Sequence, residues 1–152
     1  MSKLKIYCVH PISGCSADEV FNYYKRTQKE LEQLYDVFIP MFGKDSLRTE
    51  KNFKAEGYED NPLTGNHAIF ERDRWMVTQS DIIYANLTGS KIVSIGSVME
   101  LAWASILGKY VVLVMEEDNI HRHSFVLEAA DLIYTKEEDM LDYLKKLANK
   151  QY

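Results

Sequence analysis

Three short runs, "LKIYCV" (4–9), "DIIYANL" (81–87) and "YVVLVME" (110–116), are apolar on both faces. A half-exposed strand alternates apolar with polar residues, so a run without that alternation belongs inside a sheet covered on both sides. Strands of this kind run parallel, and parallel neighbours need long crossover connections, usually helices, in place of hairpins. The intervening sequence fits that demand. It predicts helices from about Ala17 to Tyr35 (stripe Phe21, Tyr24, Leu31, Leu34) and from about Asn66 to Gln79. A third runs from about Ser97 to Leu107, stopped by Gly108, and a last one from about Lys136 to Asn149. "DVFIP", ended by Pro40, and "DLIYT" (131–135) supply the second and fifth strands.

The pattern implies an α/β protein, a flavodoxin/Rossmann-like open parallel five-stranded sheet with helices on both faces. There is no repeat or internal linker, and residues 1–152 are read as a single domain. Ligands of such sheets bind beyond the carboxyl ends of the strands, near the topological switch point. That rule points to the turns "HPISGCS" and "TGSKIVSIGS". The stretch "MFGKDSLRTEKNFKAEGYEDNPLTG" (41–65) reads as a long polar loop, and loops of that length are usually functional or mobile.

A net charge of −5 argues against a general nucleic-acid surface, although a few amides can still bind a small anion. Cys8 and Cys15 are too few for a disulfide framework and lack metal-site spacing, which fits a reduced, cytoplasmic setting. Neither a signal peptide nor a membrane span is expected. His121 and His123, two apart without a carboxylate partner, read as a solvated loop; neither metal nor organic cofactor is expected. Among the histidines, only His10 falls on a ligand-facing turn, His67 lying near a helix start. Trp75 projects away from its helix's inward stripe, and Trp103 reads as core.

Two carboxylates stand out. Glu100 is the sole charge between Lys91 and Lys109, in the apolar helix "VSIGSVMELAWA". Ser97 and Glu100 have the S-x-x-E spacing of a capping box, a purely structural reading. The functional reading is a carboxylate in the first helical turn, its ionised form favoured by the helix dipole, at a ligand-binding edge and suited to nucleophilic attack. Asp73 lies in "AIFERDRWMV". At about 100° per residue it falls within the stripe of Ile69, Met76, Val77 and Phe70, while Glu71, Arg72 and Arg74 point to water. A buried carboxylate must be paired, protonated or lining a site. Two converging carboxylates suit glycosyl chemistry, one attacking the anomeric carbon and the other managing the leaving group's proton.

Four segments, "IYCVHPISG", "IFERDRWMVTQSDIIYANL", "SIGSVMELAWA" and "SFVLEAAD", in this order and spacing, resemble the nucleoside 2-deoxyribosyltransferase superfamily, which includes the 2'-deoxynucleoside 5'-monophosphate N-glycosidases. The loop from Met41 to Gly65 is not placed by the resemblance. The resemblance implies that Glu100 is the nucleophile forming a covalent deoxyribosyl ester, that Tyr7 orients it, and that Asp73 contacts the base or assists its departure. It implies that His10, Ile12, Ser13 and Gly14 hold the sugar end, with Gly96 and Ser97 at the same edge. The transferases usually carry an aspartate six residues before the nucleophile. This chain has Ser94, as in the monophosphate hydrolases, where the serine helps bind the 5'-phosphate. Ser124 resembles their second phosphate serine, contributed by the neighbouring subunit. Against this, those hydrolases carry an arginine at the Ser13 position and a glycine at the His10 position. Some transferases place a C-terminal carboxylate in the neighbour's site, but Tyr152 also reads as a frayed polar tail.

The resemblance therefore implies retaining cleavage of the N-glycosidic bond of a 2'-deoxyribonucleotide or 2'-deoxyribonucleoside, favoured as a 5'-monophosphate N-glycosidase. Its partners are a small nucleotide or nucleoside and further copies of the chain, as a homodimer or higher homo-oligomer. The alternatives are deoxyribosyl transfer to an acceptor base and a non-catalytic nucleotide-binding or signalling domain. "SIGSVME" also resembles the glycine-rich loop of cytokinin-activating phosphoribohydrolases, which has more glycines.

Overall fold

The computed structural model describes residues 2–50, 53–54 and 56–151. Five strands, β1 (Lys5–Val9), β2 (Asp36–Phe38), β3 (Ile82–Asn86), β4 (Tyr110–Val114) and β5 (Leu132–Tyr134), form one sheet in the order β2-β1-β3-β4-β5. Every pairing is parallel, with Tyr7 opposite Phe38 on one side and Ile83 on the other. The expected doubly wound fold is observed, and its switch point lies between β1 and β3. The crossovers carry α1 (Ala17–Leu31), α2 (Asn66–Gln79), α3 (Ile95–Ile106), α4 (Ser124–Ala129) and α5 (Glu137–Ala148).

Strand alternation divides the core. Ile6, Cys8, Ile82, Tyr84, Val112 and Val114 face α1 and α5. Tyr7, Val9, Ile83, Ala85, Val111 and Leu113 face α2, α3 and α4. This puts Tyr7 on the side of the sheet from which Asp73 and Glu100 descend.

The element boundaries depart from the sequence expectation where packing competes with pattern. Helix α1 ends at Leu31 rather than Tyr35, because the chain must turn to pair Asp36 with Lys5; Tyr35 N–H closes the turn on Leu31 O, and its hydroxyl donates to Leu144 O at 2.6 Å. Strand β2 stops at Phe38, before Pro40. The short helix α4 was not foreseen; its six residues are too few for a periodic signal. Gly108 does close α3, with φ +66°. The described residues of the long 41–65 loop include Met41, Leu47 and Phe53, which enter the α1 side of the core. No helix among the described residues is long and apolar enough to cross a membrane.

Candidate active site

A cleft of about 880 Å³ opens beyond the carboxyl ends of β1 and β3, within the usual size range for a small-molecule site. The β1 turn supplies His10, Ile12, Ser13 and Gly14, and the start of α3 supplies Ser94, Gly96 and Ser97. Asp73 enters from α2 and Glu100 from α3. The turn bonds Cys15 N–H to Ile12 O and holds Gly14 at φ +84°, a conformation that an L side chain rarely adopts.

Both carboxylates are buried, Glu100 at 8% and Asp73 at 7% exposure. Helix periodicity accounts for this: Glu100 shares a stripe with Ser97, Leu101 and Ala104, and Asp73 shares one with Met76 and Val77. One oxygen of each, Glu100 Oε2 and Asp73 Oδ1, is shut away from solvent without a hydrogen-bond partner, and so is Tyr7 Oη. Buried polar atoms are nearly always paired, so three orphans beside one cleft mark a functional site rather than ordinary packing. Tyr7 lies behind the cleft wall, its hydroxyl beside Glu100 but short of a formed hydrogen bond.

Glu100 is not a capping residue. The N-cap of α3 is Ser94, whose Oγ accepts from Ser97 N–H at 3.3 Å and lies 2.9 Å from Ser97 Oγ. The Ser97 amide, which Glu100 would take in a Ser97 capping box, is thus already used, and the Ser94 amide donates to His121 Nε2 at 2.7 Å. Glu100 thus stands in the second turn, beyond most of the dipole's reach. The expected preference for ionisation is reversed: burial and the Asp73 charge hold Glu100 well above the ordinary carboxylate range, against Tyr7 and Lys44. Burial likewise lifts Asp73 to about 6, against the pull of Lys44 and Arg72. The two titrate as a pair, mutual repulsion opposing removal of the last proton.

Other expectations need correcting. His121 is buried, not solvated. An amide can only donate, so Nε2 is unprotonated and Nδ1 carries the hydrogen toward Asn119 Oδ1, 3.1 Å away. Both nitrogens are thereby occupied. Arg72 is half-buried rather than facing water; its Nη1 donates to Leu63 O at 2.9 Å and holds the long loop against α2. Trp103 is half-buried rather than fully core: it packs against the core on the α2 and α3 side and also lines the cleft, edge-on to Phe70 with ring centroids 5.1 Å apart. His67 also lines the cleft. Ser124, exposed at the start of α4, does not reach the cleft of its own chain, and Tyr152 lies outside the described residues.

Sequence reasoning missed Lys44, in the long loop. It lines the cleft at 3% exposure, its ammonium disfavoured by burial and sustained by Asp73 and, less strongly, Glu100. A lysine in a polar loop carries no periodic signal by which its burial could be read. His10 is neutral: burial lowers its pKa, and Nδ1 donates to Asn86 O at 2.7 Å, leaving the Nε2 lone pair free to accept. Its ring stacks on Tyr23 at 3.7 Å.

Comparison with known proteins agrees with this fold. A conserved protein from Enterococcus faecalis superposes with a TM-score of 0.64 at 19% identity, covering 96% of this chain and 99% of that one. The CMP N-glycosidase BcmB of Clostridium botulinum gives 0.58 at 16% identity, covering 94% and 98%. A 2-desoxiribosyltransferase from Leishmania mexicana gives 0.51 at 24% identity, covering 73% and 63%. At these identities the likeness establishes the fold. No protein of curated function matches the sequence. The family model for nucleoside 2-deoxyribosyltransferases matches residues 14–143, a span that holds Asp73, Ser94 and Glu100, and the chain therefore belongs to the nucleoside 2-deoxyribosyltransferase family.

Proposed function

We propose that the protein cleaves the N-glycosidic bond of a 2'-deoxyribonucleoside 5'-monophosphate by a retaining, double-displacement route. The observation that carries this reading is the pair of buried carboxylates, each with an unpartnered oxygen, lining one cleft. Glu100 attacks C1' as the base departs, forming a glutamyl-deoxyribosyl ester. Substrate binding draws the pair's shared proton, which burial and the Asp73 charge favour on Glu100 in the free site, over to Asp73, and Asp73 delivers it to the base. Water then takes the place of the base, gives a proton back to Asp73 as its oxygen bonds to C1', and releases Glu100 as carboxylate. Tyr7 favours the ionised nucleophile from behind. His10, neutral with a free lone pair, suits a sugar hydroxyl. At the α3 start, the hydroxyls of Ser94 and Ser97 with the Gly96 and Ser97 amides suit a 5'-phosphate, since helix N-termini favour anions. No step calls for a metal or organic cofactor.

The whole chain is read as one catalytic unit of a homo-oligomer working in the cytoplasm. Exposed apolar residues run along α3, Ile95 (73% exposed) and Met99 at the rim of the cleft and Ile106 (87%) near the helix end, and Phe125 of α4 is 81% exposed. A second copy covering these residues would complete the homo-oligomer, and the exposed Ser124, next to Phe125, is the residue it would offer to the neighbour's phosphate.

The test is to incubate the protein with deoxynucleoside monophosphates and deoxynucleosides, with and without an acceptor base, and to follow free base, sugar and new nucleoside by chromatography. Free base from monophosphates without acceptor is expected. Turnover of nucleosides only when acceptor is present would assign the transferase reaction instead. Glu100→Gln keeps hydrogen bonding but not nucleophilicity, so it and Glu100→Ala should each lose at least about 1,000-fold in kcat. Glutamine activity close to wild type would refute the nucleophile.

A further inference from the structure

Lys44 has no part in the route just described, yet it is the most buried charged side chain at the cleft. Its backbone is fixed. Lys44 N–H donates to Met41 O and Leu47 N–H to Lys44 O, holding the residue at the head of a 3-10 turn, Asp45–Leu47. Gly43, at φ +76°, makes the turn; a Cβ there would stand 3.1 Å from Arg72 Nη1. The loop thus lies against α2, held by the Arg72 bond to Leu63 O, and brings the buried ammonium beside Asp73.

Topology says which end of a substrate it meets. The Ser94–Ser97 segment follows β3, whereas Lys44 follows β2, and β1 lies between those strands. Parallel neighbours are about 4.8 Å apart, so the two loops leave the sheet roughly 10 Å from each other. With C1' at Glu100 and the phosphate at the α3 start, the base must extend toward Asp73 and the β2 loop. The charged groups facing Lys44 are Asp73 and Arg72 from α2 and Glu100 from α3.

Building on the proposed glycosidic cleavage, we infer that Lys44 is a catalytic residue of the leaving group. Its ammonium donates a hydrogen bond to a carbonyl oxygen of the nucleobase and so selects oxo-bases (2-oxopyrimidines and 6-oxopurines) over adenine. As Glu100 Oε bonds to C1', the C1'–N bond breaks and its electron pair passes to the ring nitrogen. In an oxo-base that charge spreads onto the conjugated carbonyl oxygen, where the Lys44 N–H meets it. The Asp73 proton completes the neutral base, and Lys44 keeps its own. Preorganised charge of this kind stabilises the transition state more than the ground state.

The test compares wild type with Lys44→Met, Lys44→Gln and Lys44→Arg on deoxyribonucleoside monophosphates of uracil, cytosine, hypoxanthine and adenine, and on a series of 5-substituted deoxyuridylates of graded leaving ability. Thermal melts confirm folding, and the glutamine variant serves if methionine does not fold. Wild type should prefer oxo-bases. The methionine or glutamine variant should lose about 100-fold in kcat on them and about tenfold on adenine, with a steeper dependence on leaving ability, and arginine should restore part of the loss. Equal loss on every base, with the slope in the series unchanged, would overturn the inference while leaving the glycosidase reading intact. A shifted pH profile without a change in base preference would overturn it too, since Lys44 would then act only on the carboxylates. Failure of wild type to split any of these substrates would bring down the underlying reading, and this inference with it.

Discussion

Replacing Asp73 by asparagine should make the protein more stable and less active, and the stability gain should depend on pH in a defined way. The Asp73 carboxyl titrates near 3.8 when freely solvated and at about 6 in the folded chain, chiefly because it is buried. At about 1.4 kcal/mol per pH unit, that difference corresponds to roughly 3 kcal/mol. The sign follows from proton counting. Between the two values the folded state holds more protons than the unfolded one, so stability falls as pH rises from 3.8 to about 6 and stays low above. Asparagine has no such penalty. The variant should therefore match wild type near pH 4 and exceed it by up to about 3 kcal/mol at pH 7, the amide's own need for partners reducing the gain. In a chain of this length about 1 kcal/mol moves Tm by roughly 2–4 °C, giving a gap of up to about 12 °C at pH 7. Thermal melts at pH 4, 5, 6 and 7 read this directly, and kcat should drop about 100-fold in the same variant. A variant no more stable than wild type at pH 7, or a gap as large at pH 4, would refute the claim that the site holds a costly buried carboxylate.

Tyr7→Phe removes a hydroxyl that stabilises ionised Glu100 yet has no completed hydrogen bond. Stability should change by less than about 1 kcal/mol, while the acid limb of the pH–rate profile moves to higher pH and kcat falls about tenfold; an unmoved limb would separate Tyr7 from the nucleophile. His121→Leu leaves the buried Ser94 N–H unpaired, costing about 1–3 kcal/mol at pH 7.5 by denaturant unfolding. Burial lowers the His121 pKa, so its contribution is present above about 6.5 and lost as pH falls through the lowered folded value; the variant should approach wild-type stability in acid. Gly43→Ala, with φ +76° and Arg72 Nη1 at 3.1 Å, should cost about 1–2 kcal/mol and raise KM by displacing the Lys44 loop; unchanged KM would detach that loop from substrate binding.

The sheet was legible because burial on both faces leaves a mark in single residues: Ile6 to Val9, Ile83 to Leu87 and Val111 to Met115 show no polar alternation except Asn86, itself buried. Asp73 was legible for a related reason. A charge at an inward position of a helix violates the period, and the structure places it beside Met76 and Val77 as the periodicity requires. Glu100 was legible as an anomaly but not in its local role. The S-x-x-E spacing pointed to Ser97 as the cap, and only the three-dimensional arrangement shows the helix beginning a turn earlier, with His121, 27 residues ahead of Ser94, holding the Ser94 amide.

Short-range sequence thus determined the parallel α/β architecture, the two anomalous acids and the turn at Gly14, because strand burial, helical phase and backbone φ are properties of neighbouring residues. Tertiary structure alone decided that the two acids share one cleft, where burial raises both pKa values and the Asp73 charge raises that of Glu100 further. It also decided that His121 is a buried acceptor rather than a solvated base, and that a lysine from an otherwise polar loop is driven in beside both carboxylates. Those outcomes depend on desolvation and on charges brought together across the fold, and neither quantity is defined until distant segments pack.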